Sequence, residues 1–124
     1  MSQKVSEKTK EERVKQEKNR LNRLYKAIPE NKKKAVAGLI ERAAFMRIEC
    51  EDLEADIKEH GWTEQFRQSE KVEPYERARP QGQTYISLNS NYQKIIKQLS
   101  DLLPAKVQQE QDSFDMFLSE RDAM

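Results

Sequence analysis

Cysteine and histidine occur once each, as Cys50 and His60, and glycine only three times. A lone cysteine excludes an internal disulfide and fits a reducing cytoplasm. One cysteine and one histidine cannot build a zinc site, and no glycine-rich phosphate loop is present. No apolar run approaches the roughly 18 residues that span a bilayer, and the N-terminus lacks the apolar stretch of a secretory signal. Scarce glycine and few β-branched runs argue against a sheet. Cys50 sits on an apolar seam, as an inert thiol would, and His60 before Gly61 suits a helix C-terminus. The acids are spread along helices as solvated faces. No catalytic residue, cofactor or metal is therefore expected.

What is abundant is charge. Charged residues make up 36% of the 124 and hydrophobic ones 35%, with a mean hydropathy of −1.04. Such values suit a helical, highly solvated, oligomeric protein better than a compact enzyme. The net charge of +1 hides four unlike blocks. Residues 1–34 hold twelve Lys/Arg against five acids, and residues 41–76 hold eleven acids against five basic residues. Residues 77–97 hold four basic residues and no acid, while residues 98–124 hold six acids against two basic residues. A chain divided this way is expected to meet a polyanion at one end and something else at the other.

The apolar pattern predicts an all-α fold. After a polar, aperiodic segment over 1–9, read as disordered, a basic helix is expected over 10–28, with Val14, Leu21, Leu24, Tyr25 and Ile28 on one side. Pro29 breaks it, because the residue before a proline resists helical geometry. A long helix over 30–60 carries Val36, Leu39, Ala43, Met46, Cys50, Leu53 and Ile57 at spacings of three and four. Gly61 ends it. Residues 61–83 read as a connector, with Trp62 and Phe66 in one short turn and Pro74, Pro80 and Gly82 in a loop. A return helix over 84–103 then presents Tyr85, Leu88, Tyr92, Ile95, Ile96, Leu99, Leu102 and Leu103, and Pro104 stops it. The two stripes match, giving a long antiparallel helical hairpin, with the domain at 10–104 and a flexible acidic tail at 105–124.

The long helix has a second apolar face, Ala37, Ile40, Ala44, Ile48 and Ala55, with Phe45 beyond it. Two coverings are open. The N-terminal helix folds back over this face, or another subunit does, since contiguous exposed apolar surface marks an interface. The second covering makes those six residues oligomerisation contacts in a closed homo-oligomer larger than a dimer.

Candidate phosphate contacts are Arg13, Lys15, Lys18, Arg20, Arg23 and Lys26 on the basic helix and Lys32, Lys33 and Lys34 at the next helix start. Lysine outnumbers arginine there and no aromatic residue interleaves Lys32–Lys34, so contacts would be to backbone phosphate and weakly sequence-specific. A merely solvated basic face remains open. Arg77 and Arg79 form a second patch, or a solubilising loop. In the tail, Phe114, Phe117 and Leu118 lie among acids at helical spacing, as suits a hydrophobic groove on a partner.

Ala44-Phe45-Met46-Arg47, the acidic run after it, Gly61, the Arg77–Pro80 loop and Asn91-Tyr92…Ile96-Lys97-Gln98-Leu99-Ser100-Asp101-Leu102-Leu103-Pro104 together resemble the small terminase subunits of tailed bacteriophages. The resemblance covers about residues 35–106. It implies an all-α protein that assembles into a ring, binds double-stranded viral DNA and loads it onto the large terminase subunit, the ATPase and nuclease that fills the capsid. It implies a place in the host-cell cytoplasm, outside the mature virion, and makes the large terminase the partner of the tail. Many members carry an N-terminal helix-turn-helix module. Only about 30 residues precede the long helix here, too few for three helices, so DNA contact would fall to the basic helix or a ring surface. From the residues alone, a dimeric DNA-binding regulator or architectural protein and a coiled-coil scaffold without a nucleic-acid role also remain open.

Overall fold

Thr9 starts the first helix. Its side chain accepts a hydrogen bond from the Glu12 backbone N–H at 3.1 Å, and Glu11 and Glu12 face the positive dipole end. The structure, a computed structural model, describes residues 8–108. The expectations for residues 1–7 and for Phe114, Phe117 and Leu118 lie outside the described residues. The described chain is mostly helical with one small two-stranded sheet. Its elements are α1 (Lys10–Leu24), α2 (Glu30–His60), β1 (Thr63–Phe66), β2 (Tyr75–Ala78) and α3 (Pro80–Asp101). None of the described helices is long and apolar enough to cross a membrane.

α1 ends at Leu24, short of the expected Ile28. Residues 25–28 tighten into a turn, with the Ile28 N–H bonded to the Tyr25 carbonyl at 3.1 Å, because Ile28 precedes Pro29. The turn delivers both Tyr25 and Ile28 into the core beside Leu21. α2 occupies the expected range, and its 31 residues rise about 46 Å. It stops at Gly61, where φ is 83° and ψ −178°.

Ala43 and Ala44 are both fully buried. Adjacent helical positions point about 100° apart, so α2 must be covered on two faces. α3 covers one of them. The Tyr85 hydroxyl donates to Glu54 at 2.8 Å and Arg47 donates to the Tyr92 hydroxyl at 3.3 Å, so α3 ascends as α2 descends. α1 covers the other face, where Arg13 meets Asp52 at 2.7 Å and Lys18 meets Glu41 at 3.0 Å. Leu21, Tyr25, Ile28, Val36, Ile40, Tyr92, Leu99 and Leu103 fill the space around the two alanines.

The second apolar face is therefore covered from within over its middle. Ile40, Ala44 and Ile48 are buried against the chain's own helices, which corrects the expectation that they contact another subunit. Ala37, Phe45 and Ala55 stay exposed, Phe45 by 52%.

The connector departs from expectation. β1 and β2 form an antiparallel pair, Thr63 opposite Ala78 and Phe66 opposite Tyr75. Phe66 thus lies on a strand, not in a turn with Trp62. A two-stranded ribbon alone is marginal, but side chains brace this one. Phe66 and Tyr75 meet edge to face at 5.8 Å, and Arg77 lies 3.5 Å over the Phe66 ring while bonding Glu64 at 2.8 Å. Thr63 also donates to Glu76 at 2.7 Å. α3 starts at Pro80, four residues early, because a proline at the first helical position forfeits only an N–H that would go unpaired.

The expected flexible tail begins with ordered structure. After Pro104, residues 105–108 make a helical turn, Val107 packs on the core, and the Gln108 amide donates to the Leu103 carbonyl at 2.6 Å.

Gly82 lies in the first turn of α3 beneath Trp62; a Cβ there would sit 2.9 Å from the indole Cε3. Alanine gains about 0.5–1 kcal/mol of helix propensity. It also displaces a half-exposed indole that stacks edge-on with Tyr85 at 6.3 Å. Gly82→Ala should therefore change stability by less than about 1 kcal/mol while shifting the fluorescence of Trp62, the only tryptophan. Urea unfolding and an emission spectrum check both.

Candidate nucleic-acid interface

The basic N-terminal block and the acidic run of the long helix, read above as facing different partners, face each other. Lys10 bridges Glu49 and Asp52, Arg13 bridges Glu51 and Asp52, and Lys18 bridges Glu41. Each such exposed pair contributes about 0–1 kcal/mol, whereas burying a Leu or Ile contributes about 1.5–3 kcal/mol. The apolar seam therefore holds α1 down, and the ion pairs choose its register.

This pairing redistributes the candidate contacts. Arg13 and Lys18 spend their charge on α2. Arg20 binds Glu17 through two nitrogens at 2.8 and 2.7 Å. Arg13, Arg20 and Arg23 line a cleft of about 550 Å³ whose floor includes Glu17, Ile48 and Glu51. The two carboxylates there engage Arg20 and Arg13, and of the three arginines only Arg23 has no ion-pair partner. Lys33 pairs with the exposed Glu30 at 3.0 Å, a weak bridge.

Arg79 is the clearest correction. Only 9% of it is exposed. Its guanidinium donates to the Gly61 carbonyl and to Asp56, both at 2.7 Å, while its backbone N–H bonds the Trp62 carbonyl at 2.9 Å. It fastens the ends of α2, β1, β2 and α3 at one point and has little surface left for phosphate. Arg77 is likewise engaged, on Glu64 and the Phe66 ring.

Among the described residues, Lys15, Arg23, Lys26, Lys32 and Lys34 take part in none of the ion pairs. All but Lys15 flank the Tyr25–Pro29 turn. There Lys26 and Lys33 also border a cavity of about 210 Å³ walled by Asn22, Tyr25, Val36, Ala37 and Ile40. The candidate interface thus contracts from eleven positions to the α1–α2 corner.

Two features escaped the sequence reading. Asp52 receives both Lys10 and Arg13, and Arg47 links Glu51 to the Tyr92 hydroxyl. The signal was present, since a +7 block beside a −6 block is as good a match for itself as for an outside partner. The Tyr92 hydroxyl first and Glu51 second raise the pKa of Arg47; an arginine is charged regardless, so the effect is positional. Burial pushes the Cys50 thiol up, away from the reactive thiolate. No group of three metal-binding side chains occurs among the described residues. No family model, curated protein or solved structure matches this chain.

Two outcomes follow from these contacts. Arg79→Ala removes two charge-assisted bonds and should lower stability by about 2–3 kcal/mol in urea unfolding while leaving nucleic-acid affinity unchanged. The Arg13 guanidinium, and then Lys10, hold the Asp52 carboxyl below its ordinary 3.8. A depressed folded pKa stabilises above the unfolded value and is lost as pH falls through the folded one. The α1–α2 contact should therefore be steady at neutral pH and weaken below about pH 4. Asp52→Asn should cost less than about 1 kcal/mol at pH 7, and its difference from the parent protein should shrink as the pH is lowered below about 4, followed by thermal unfolding.

Proposed function

We propose that this chain is a non-enzymatic DNA-packaging adaptor, the small terminase subunit of a tailed phage. It assembles as a ring of helical hairpins in the host cytoplasm, binds double-stranded DNA through backbone phosphates, and passes that DNA to the large terminase, which its acidic tail engages. The observation that carries DNA contact is the set of cations α2 leaves unpaired. Lys26, Lys32 and Lys34 flank the α1–α2 turn, with Lys33 only weakly bridged, and Arg23 lines the neighbouring cleft. The packaging system itself rests on the resemblance over residues 35–106. A lysine-rich patch with no aromatic residue among Lys32–Lys34 contacts mainly backbone phosphate, so binding is sequence-tolerant and strongly salt-dependent.

Fluorescence anisotropy with two unrelated duplexes tests this. Affinity should fall steeply between 50 and 200 mM salt, roughly as the number of phosphates neutralised. Changing Lys26, Lys32 and Lys34 together to Glu should weaken both duplexes alike by more than tenfold, whereas Arg13→Ala should not. Unchanged affinity in the triple variant would favour the scaffold reading.

Native mass spectrometry tests the ring, which should appear as a homo-oligomer above a dimer. With Ile48 committed to the core, the variant to make is Phe45→Glu, which should dissociate the assembly and keep helix content. A monomer of the unaltered protein at micromolar concentration would remove the ring, and a stable dimer would favour the regulator reading.

A further inference from the structure

The chain leaves the described fold at the corner where the unpaired cations stand. The Tyr25 hydroxyl and the Ser100 hydroxyl share a hydrogen bond at 3.1 Å, tying the turn after α1 to the last turn of α3. Leu103 is buried in the same cluster as Tyr25 and Ile28, and Val107 packs against that cluster. Gln108 is held by its bond to the Leu103 carbonyl. The next sixteen residues, 109–124, carry Glu110, Asp112, Asp115, Glu120 and Asp122 against a single Arg121. An acidic segment therefore starts beside a basic corner.

The corner also has an opening of suitable chemistry. The 210 Å³ cavity is walled by Tyr25, Val36, Ala37 and Ile40, with Lys26 and Lys33 among its lining residues. An apolar space of roughly 150 Å³ is enough for a benzene ring. In the segment, Phe114 has Asp112 two residues before it and Asp115 next to it, whereas Phe117 is flanked by Met116 and Leu118. An aromatic ring between carboxylates matches an apolar hole between ammonium groups. From Gln108 to Phe114 six residues give a reach of about 20 Å.

We propose that residues 109–124 dock on the α1–α2 corner of their own chain, with Phe114 in this cavity and Asp112 and Asp115 against Lys26 and Lys33. The docked segment is an internal polyanion. It occupies the surface assigned above to phosphate, so DNA must displace it, and displacement frees Phe117 and Leu118 for a partner. The docking stands on the corner's geometry alone; the competition rests on the DNA reading.

Paired cysteines in the full-length protein test the docking without DNA. In a Cys50→Ala background, Asn22→Cys at the cavity and Ser113→Cys beside Phe114 should form a disulfide within one chain. Equilibration with glutathione should give an effective concentration at least tenfold above that of a control pair. The control, Asn91→Cys with Ser113→Cys, probes the groove lined by Met46 and Ile95. Adding Phe114→Ala, or 0.5 M salt, should bring the first pair down to the control. Equal values for the two pairs, or a higher value for the Asn91 pair, would overturn the docking. Covalent dimers in place of an internal bond would assign the corner to a second copy's segment and overturn it as well. For the competition, Phe114→Ala alone should raise duplex affinity threefold or more at 50 mM salt. A strong internal disulfide with unchanged duplex affinity would leave the docking in place and overturn the DNA assignment of the corner.

Discussion

The fold depends on α2 being buried on two sides at once, and the pair Ala43–Ala44 is where that requirement is sharpest. Side chains that stop at Cβ let two helices approach the same stretch of a third. A larger residue at either position would wedge one neighbour away and expose the stripe it covers. The neighbours themselves supply the bulk, with Leu21 from one side and Leu99 from the other, both without exposed surface. The arrangement places small residues on the spine and large ones on its partners, as close packing demands.

Electrostatics then settles the details that apolar burial leaves undecided. A hydrophobic seam tolerates a helix sliding by a turn, because leucine meets isoleucine nearly as well one turn along. Lys10, Arg13 and Lys18 meet Glu49, Glu51, Asp52 and Glu41 in one alignment only. Pairing of this sort also removes charge from the outer surface. Lys26, Lys32 and Lys34, at the opposite end of α1 from Lys10, take no part in it.

How much of this could be read from the residues varies along the chain. The bounds of α2 were legible because Pro29 and Gly61 are strong punctuation. The end of α1 was less so, because Tyr25 and Ile28 continue the apolar spacing even though they belong to a turn. The β-hairpin was hidden. Thr-Glu-Gln-Phe and Tyr-Glu-Arg-Ala have no long β-branched run, and their pairing depends on Phe66 meeting Tyr75 and Arg77 across a loop of eight residues. The candidate site was legible as a list of cations but not as a place. Which lysines and arginines are free is decided by the carboxylates opposite them, and that is a property of packing. Arg79 shows the limit best: between Ala78 and Pro80 it reads as a solvated loop charge, yet it is the most buried cation described.

Gly61 is the one described residue with a positive φ, and its ψ of −178° places it outside even the left-handed helical region that asparagine visits. A Cβ built there would meet nothing within 4 Å. The restriction on this residue is therefore torsional, not spatial: there is room for a side chain, but no L-amino acid with one adopts the backbone angles at low energy. Every contact that Arg79 gathers at that junction, and the direction in which the hairpin and α3 set out, inherits its geometry from those two dihedrals. The position least open to substitution in the connector is thus one where a side chain would touch nothing.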